Sequence, residues 1–185
     1  MMKTTTLLLF FLSNLEFVFG SVVFDGSEYR QVHRASEGPN QLVELLKGKE
    51  SVKNWSTMIS VHSYPAAREI GEIVGPHVDA RKHLFAIKPE VFQKDLTEHK
   101  HDVLLQLFLG APGQTPHVEF VLARFVQPQE GGCYAVIYSH KLKAKKNIDV
   151  SEVMNQKDKW IEQLSDIPVS MLELISQPGE GGNSE

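Results

Sequence analysis

The 185-residue chain has one cysteine, Cys133. That single thiol excludes an intrachain disulfide framework and any site built from several cysteine ligands. There is little net charge: 19 Lys and Arg stand against 23 Asp and Glu, a formal −4. The basic face of a nucleic-acid binder is therefore not expected. Neither H-E-x-x-H nor G-x-S-x-G occurs, which removes two common signatures of zinc proteases and serine hydrolases. There is no internal repeat, and after residue 20 no apolar run is long enough to span a bilayer. What remains is ordinary globular usage, 42% hydrophobic and 23% charged, with 9 Pro and 13 Gly. Wholesale disorder, collagen-like sequence and coiled coil are disfavoured, and the length suits one domain.

Residues 1–20 read as a secretory signal peptide. Lys3 provides the positive start, Leu7 to Leu12 the apolar centre, and Val18-Phe19-Gly20 a cleavage site before Ser21. Ser13, Asn14 and Glu16 interrupt the run, which argues against a retained anchor. The expectation is an exported protein, periplasmic or secreted, whose single domain covers 21–176 and is followed by a disordered tail over 177–185, a stretch without apolar residues.

Within the domain, Gln41 to Leu46 is too short for periodicity to separate strand from helix, and the Gly48 turn beside it favours strand. Residues 57–64 alternate, with Met58 on one face and Ile59 and Val61 on the other. Residues 103–109, 118–126 and 133–142 are apolar and β-branched runs separated by Gly- and Pro-containing connectors, so three more strands are predicted. Cys133–Leu142, apolar on both faces, should be central. Helical spacing of Ala66, Ile70, Ile73 and Val74 predicts a helix that starts at Pro65 and stops at Gly75-Pro76. A second short helix is predicted over 89–96, with Val91, Phe92 and Leu96 inward. The clearest helix runs over 150–165. Asp149 and Glu152 form its capping box, and Val153, Lys157, Trp160, Ile161 and Leu164 trace one stripe. These elements predict an α+β fold: an antiparallel β-sheet with helices packed on one face.

The segment from Gly48 to Ile59 resembles the G-E-S-x-x-N-W-T-x-M stretch of a group of small bacterial exported proteins. Lys49 interrupts that pattern here and Ser56 replaces its threonine. In that group, too, a signal peptide precedes the segment and a Trp-bearing helix closes the chain. The element order is similar to sheet-and-helix domains of the PsbP and Mog1 type, which are mostly binding or assembly modules. This second likeness is architectural analogy. Neither resemblance carries a catalytic residue across.

Chemistry-bearing residues are sparse. His99 and His101 are two apart, so in a strand they would face one side and could share a metal, with Asp102 or a distant histidine as third ligand. The plain alternative is a solvated entry to a strand. Cys133 could act with His140 as base, but seven residues of strand place them on opposite faces, and a lone cysteine in an apolar strand is usually a small buried hydrophobe. Lys141, Lys143, Lys145 and Lys146 could touch an anionic membrane surface, or simply discourage edge pairing. Trp160 lies on the helix stripe and reads as core. Trp55 ends a polar loop, where it either lids the sheet or contacts a ligand. Asn54-Trp55-Ser56 is also an N-glycosylation sequon.

The expectation is a non-catalytic exported domain, without catalytic residues or cofactor. It would bind an unknown protein, an envelope component or a small ligand through Asn54 and Trp55. Nucleic acid is not an expected partner, and membrane contact is the less favoured option. The alternative is a metal-assisted hydrolase using His99 and His101.

Overall fold

A computed structural model describes residues 21–93, 101–110, 117–142 and 150–177. The strands are β1 (Ser21–Phe24), β2 (Ser27–Glu37), β3 (Asn40–Lys47), β4 (Thr57–Tyr64), β5 (Phe85–Gln93), β6 (His101–Gly110), β7 (Val118–Gln127) and β8 (Cys133–Leu142). The helices are α1 (Gly71–Arg81), α2 (Ser151–Ser165) and α3 (Val169–Ser176). All eight strands form one antiparallel sheet in the order β1-β2-β3-β4-β8-β7-β6-β5. Two four-stranded meanders thus meet at their last strands, β4 and β8.

That topology dictates where the helices lie. The chain leaves β4 in the middle of the sheet and must reach β5 at the far edge. α1 lies on this crossing, and its Ile73 packs on Leu105, Leu107, Val121, Ala123 and Phe125, which point to one face of β6 and β7. The chain also leaves β8 in the middle, and α2 and α3 cover the opposite face. Val153, Trp160, Leu164, Met171, Leu172 and Ile175 join a core that draws on every strand from β1 to β4 and from β6 to β8. Both edges of the sheet reach α2. Asp25, in the β1–β2 turn, receives Lys159 Nζ at 2.6 Å, and its backbone N–H donates to Gln163 Oε1 at 3.2 Å. At the other edge, Lys157 Nζ lies 5.7 Å from the centroid of the Phe92 ring in β5. The sheet is therefore curled into a half-barrel around α2.

This corrects the expected fold class. The protein is not an α+β sheet with helices on one face. Among the described residues, the chain is dominated by a curled eight-stranded antiparallel sheet with three short α-helices, and these lie on both faces. Two helices also differ from expectation. α1 runs through Pro76 rather than stopping before it. Proline removes one backbone donor and crowds the preceding turn, but Ile73 and His77, on either side of it, are buried on the sheet. Packing thus overrides the local stop signal. Residues 85–93 are an edge strand, not a helix. Pro89 is tolerated there because one side of an edge strand needs no donor. Register irregularities flank Ile87, and Ile87 and Val91 are 53% and 65% exposed. Leu96 and Asp149 lie outside the described residues, as do residues 178–185 of the expected tail. Val150 occupies the N-cap position of α2, without a side-chain cap.

The strands expected at 57–64, 103–109, 118–126 and 133–142 coincide with β4, β6, β7 and β8. The Gly131-Gly132 turn before β8 requires glycine. Both residues have positive φ, +96° and +72°, a backbone region that other residues rarely adopt. Among the described residues no helix is long and apolar enough to cross a membrane.

Among the described residues, one ion pair is buried in the concave face. Arg124 of β7 and Asp102 of β6 point toward α2, and their side chains are 1% and 4% exposed. Arg124 Nε and Nη2 donate to both carboxylate oxygens at 2.7–3.1 Å. Its Nη1 donates to the carbonyls of Leu164 and Ile167, at 3.0 and 2.6 Å. The guanidinium thus ties β7 to the chain where α2 ends and leads into α3.

Candidate functional site

The turn that carries Asn54 is tight. Ser51 and Asn54 exchange backbone hydrogen bonds of 3.2 and 2.8 Å, leaving Val52, Lys53 and Asn54 exposed. Glu50 steadies its base: Oε1 accepts the Ser56 N–H at 3.0 Å and the Ser56 hydroxyl at 2.5 Å. Trp55 follows, partly exposed. Lys141 of β8 lies over its ring, with Nζ 3.7 Å from the centroid, a cation–π contact. The Lys141 backbone N–H also donates to the Ser56 carbonyl at 2.8 Å, so both chains of this contact are tied to the β4–β8 ladder. Trp55 is an ordered surface aromatic rather than a core side chain. Of the lysine run only Lys141 is described.

The expected metal pair of His99 and His101 falls only in part within the described residues. His99 lies outside them. His101 is exposed at the start of β6. Asp102, the suggested third ligand, faces the interior and is held by Arg124. No group of three His, Cys, Asp or Glu side chains suited to a metal occurs among the described residues. Cys133 is buried on the α1 side of the sheet. His140 points to the other face, against Tyr138 and Trp160.

A second polar cluster, not singled out from the sequence, lies beneath α1. His62 and Tyr64 project from β4 with rings stacked at 6.1 Å and 5°, and the Tyr64 hydroxyl is 3.4 Å from His62 Nδ1. His77 of α1 is 8% exposed and packs edge-on against Phe125, with centroids 5.0 Å apart. Arg81, one turn further on, directs Nη1 at His77 Nδ1 (3.2 Å) and donates to the His77 carbonyl (3.1 Å). A guanidinium is always a donor, so Nδ1 accepts and the proton sits on Nε2. That buried Nε2 has no hydrogen-bond partner among the described residues. The only sequence signals for this cluster are spacings, His77 four before Arg81 and His62 two before Tyr64. They are too common to be informative before the crossing of α1 over the sheet is known.

Burial, and secondarily the Arg81 charge, pushes His62 down to about 4 and His77 down to about 3. Burial also lowers His140. In the unfolded chain these imidazoles titrate near 6.5. Between about pH 6.5 and pH 4 the unfolded state therefore binds more protons than the folded state, so stability falls as pH drops through that window and is flat above it. Urea denaturation at pH 7 and pH 5 should show this loss, and the His62→Gln/His77→Gln double variant should lose less over the same interval. An equal or larger loss in the double variant would refute the assignment.

A protein-family model matches residues 18–169, and the chain belongs to that family. No curated protein and no solved structure matches it.

Proposed function

With membership of that family as the premise, we propose that the protein is a non-catalytic binding domain that recognises a partner through the Asn54–Trp55 turn. One observation carries this reading: Trp55 is held partly exposed under Lys141, on a turn braced by Glu50. Tryptophan is enriched among the residues that dominate binding energy at interfaces. A side chain already ordered by the sheet loses less conformational freedom on binding. Loops on a rigid scaffold commonly carry recognition. We propose further that residues 1–20 direct export and are removed, so that the working form begins at Ser21 in the periplasm or outside the cell. The partner is a protein or envelope component.

The test uses protein recovered from the envelope or medium of its native host. N-terminal sequencing should begin at Ser21, and full-length protein retained in the cytoplasm would defeat the export reading. Trp55→Ala should unfold within about 1 kcal/mol of wild type, the range of surface substitutions and of an exposed cation–π contact. It should lose the specific partners that wild type captures from envelope extract. A stable variant that captures the same partners would eliminate Trp55 as the contact. A loss of several kcal/mol would make it a packing residue instead.

A further inference from the structure

The loop that carries Trp55 is basic, in a chain whose formal charge is −4. Lys47 ends β3, Lys49 follows it, and Lys53 lies in the Ser51–Asn54 turn. Lys141 covers the Trp55 ring, with Nζ 3.7 Å from the centroid. Lys49 and Lys53 are exposed, Lys47 and Lys141 partly so. Among the described residues none of these lysines has a carboxylate within ion-pair distance. The neighbouring acids are engaged elsewhere. Glu50 Oε1 holds the Ser56 N–H and hydroxyl. Glu28 pairs with Arg30 at 2.7 Å. Glu119, opposite Lys141 in β7, lies 3.0 Å from His117 Nε2. Apolar surface stands among the cations, since Val52 is 44% exposed and Trp55 is partly exposed. Where the loop begins, a cavity of about 450 Å³ opens between Ser27, Glu28, Arg30, Lys47 and Gly48.

We propose that the Asn54–Trp55 surface binds an acidic segment of a partner polypeptide, its carboxylates at Lys49, Lys53 and Lys141 and an apolar side chain on Trp55 and Val52. This inference rests on the binding reading of Trp55 and adds the chemistry of the partner. Unpaired lysines on a negatively charged protein steer and orient a segment of opposite charge. Tryptophan supplies the contact that such charges do not. An ammonium on a flexible stem is a point charge without fixed fork geometry, so it accepts carboxylates spaced along a chain. A polypeptide fits better than an anionic lipid surface for two reasons. The surface is indented beside Lys47 by the cavity, which a side chain can enter and a plane of headgroups cannot. The negative charge of the whole chain also opposes its approach to an extended anionic plane.

The probes are the acetylated peptide Glu-Leu-Glu-Leu-Glu, its Lys-Leu-Lys-Leu-Lys counterpart and phosphatidylglycerol vesicles. Each is titrated into the folded protein and followed by NMR of the Trp55 indole N–H. The acidic peptide should shift that signal saturably, and its affinity should fall as salt rises. The basic peptide and the vesicles should not shift it. Lys49→Glu/Lys53→Glu, which reverses two exposed charges, should bind the acidic peptide roughly tenfold more weakly. Trp55→Ala, followed through the Val52 and Lys53 amides, should show no saturable shift. Vesicle binding in place of peptide binding would make the surface a membrane contact and overturn the proposal. Equal affinity in the charge-reversed variant, or no saturable shift in wild type at millimolar peptide, would overturn it as well. The two readings fail separately. Partner capture from envelope extract that needs Trp55 but is unchanged in the charge-reversed variant leaves the Trp55 surface without an acidic partner. Capture unchanged in Trp55→Ala removes both.

Discussion

Arg124→Ala is expected to destabilise the protein by about 3–5 kcal/mol, the range measured when one partner of a buried ion pair is removed. Two losses combine. Asp102, whose side chain is 4% exposed, would be left with a buried charge that Arg124 had held through both oxygens. The carbonyls of Leu164 and Ile167 would lose the Arg124 guanidinium where α2 turns into α3. Domains are stable by only about 5–15 kcal/mol, so a loss of this size is a large fraction of the whole. Equilibrium urea denaturation checks it. The double variant Arg124→Met/Asp102→Leu should be more stable than Arg124→Ala, because it removes both charges and keeps apolar volume. A single-variant loss under about 1 kcal/mol would mean that the pair is hydrated and does not latch α2 to the sheet.

Trp160→Ala should cost a similar amount, about 3–5 kcal/mol. Trp160 is 2% exposed on the inner stripe of α2. Its ring lies 5.0 Å from Tyr138, 5.7 Å from His140 and 5.9 Å from Phe120, centroid to centroid. Truncation would open a cavity where the two meanders meet. The indole Nε1 is buried without a hydrogen-bond partner among the described residues, so it adds nothing that phenylalanine would lack. Trp160→Phe should therefore lose much less than Trp160→Ala. Equal losses in the two variants would show that the indole nitrogen has a partner of its own. The two tryptophans thus play opposite parts, Trp160 closing the core and Trp55 remaining at the surface under Lys141.

Local pattern by itself determined much of the sheet. β4 alternates, β6 and β7 are nearly continuous apolar runs, and β8 is β-branched and aromatic on both faces. Each of those textures arises from the two-residue period of a strand and the number of faces it buries. The stripe through Val153, Trp160 and Leu164 likewise located α2 and placed Trp160 inside, because a helix with one apolar side must bury it. Pattern was insufficient where the outcome depends on a partner distant in the chain. The span 85–93 contains apolar residues that suit either a short helix or a strand, and pairing with β6 decided for the edge strand. Pro76 is a stop signal to the local chain, yet burial of Ile73 and His77 against the sheet carries α1 through it. Arg124 reads as an interruption in an apolar strand until Asp102, 22 residues earlier, and the Leu164 and Ile167 carbonyls, 40 and 43 residues later, are seen to surround it. The same holds for His77, which meets Phe125 of β7 only because the link from β4 to the far edge carries α1 over the sheet. Periodicity reports which side of an element is apolar, whereas the partner that covers that side is chosen by strand order, which is a property of the whole chain.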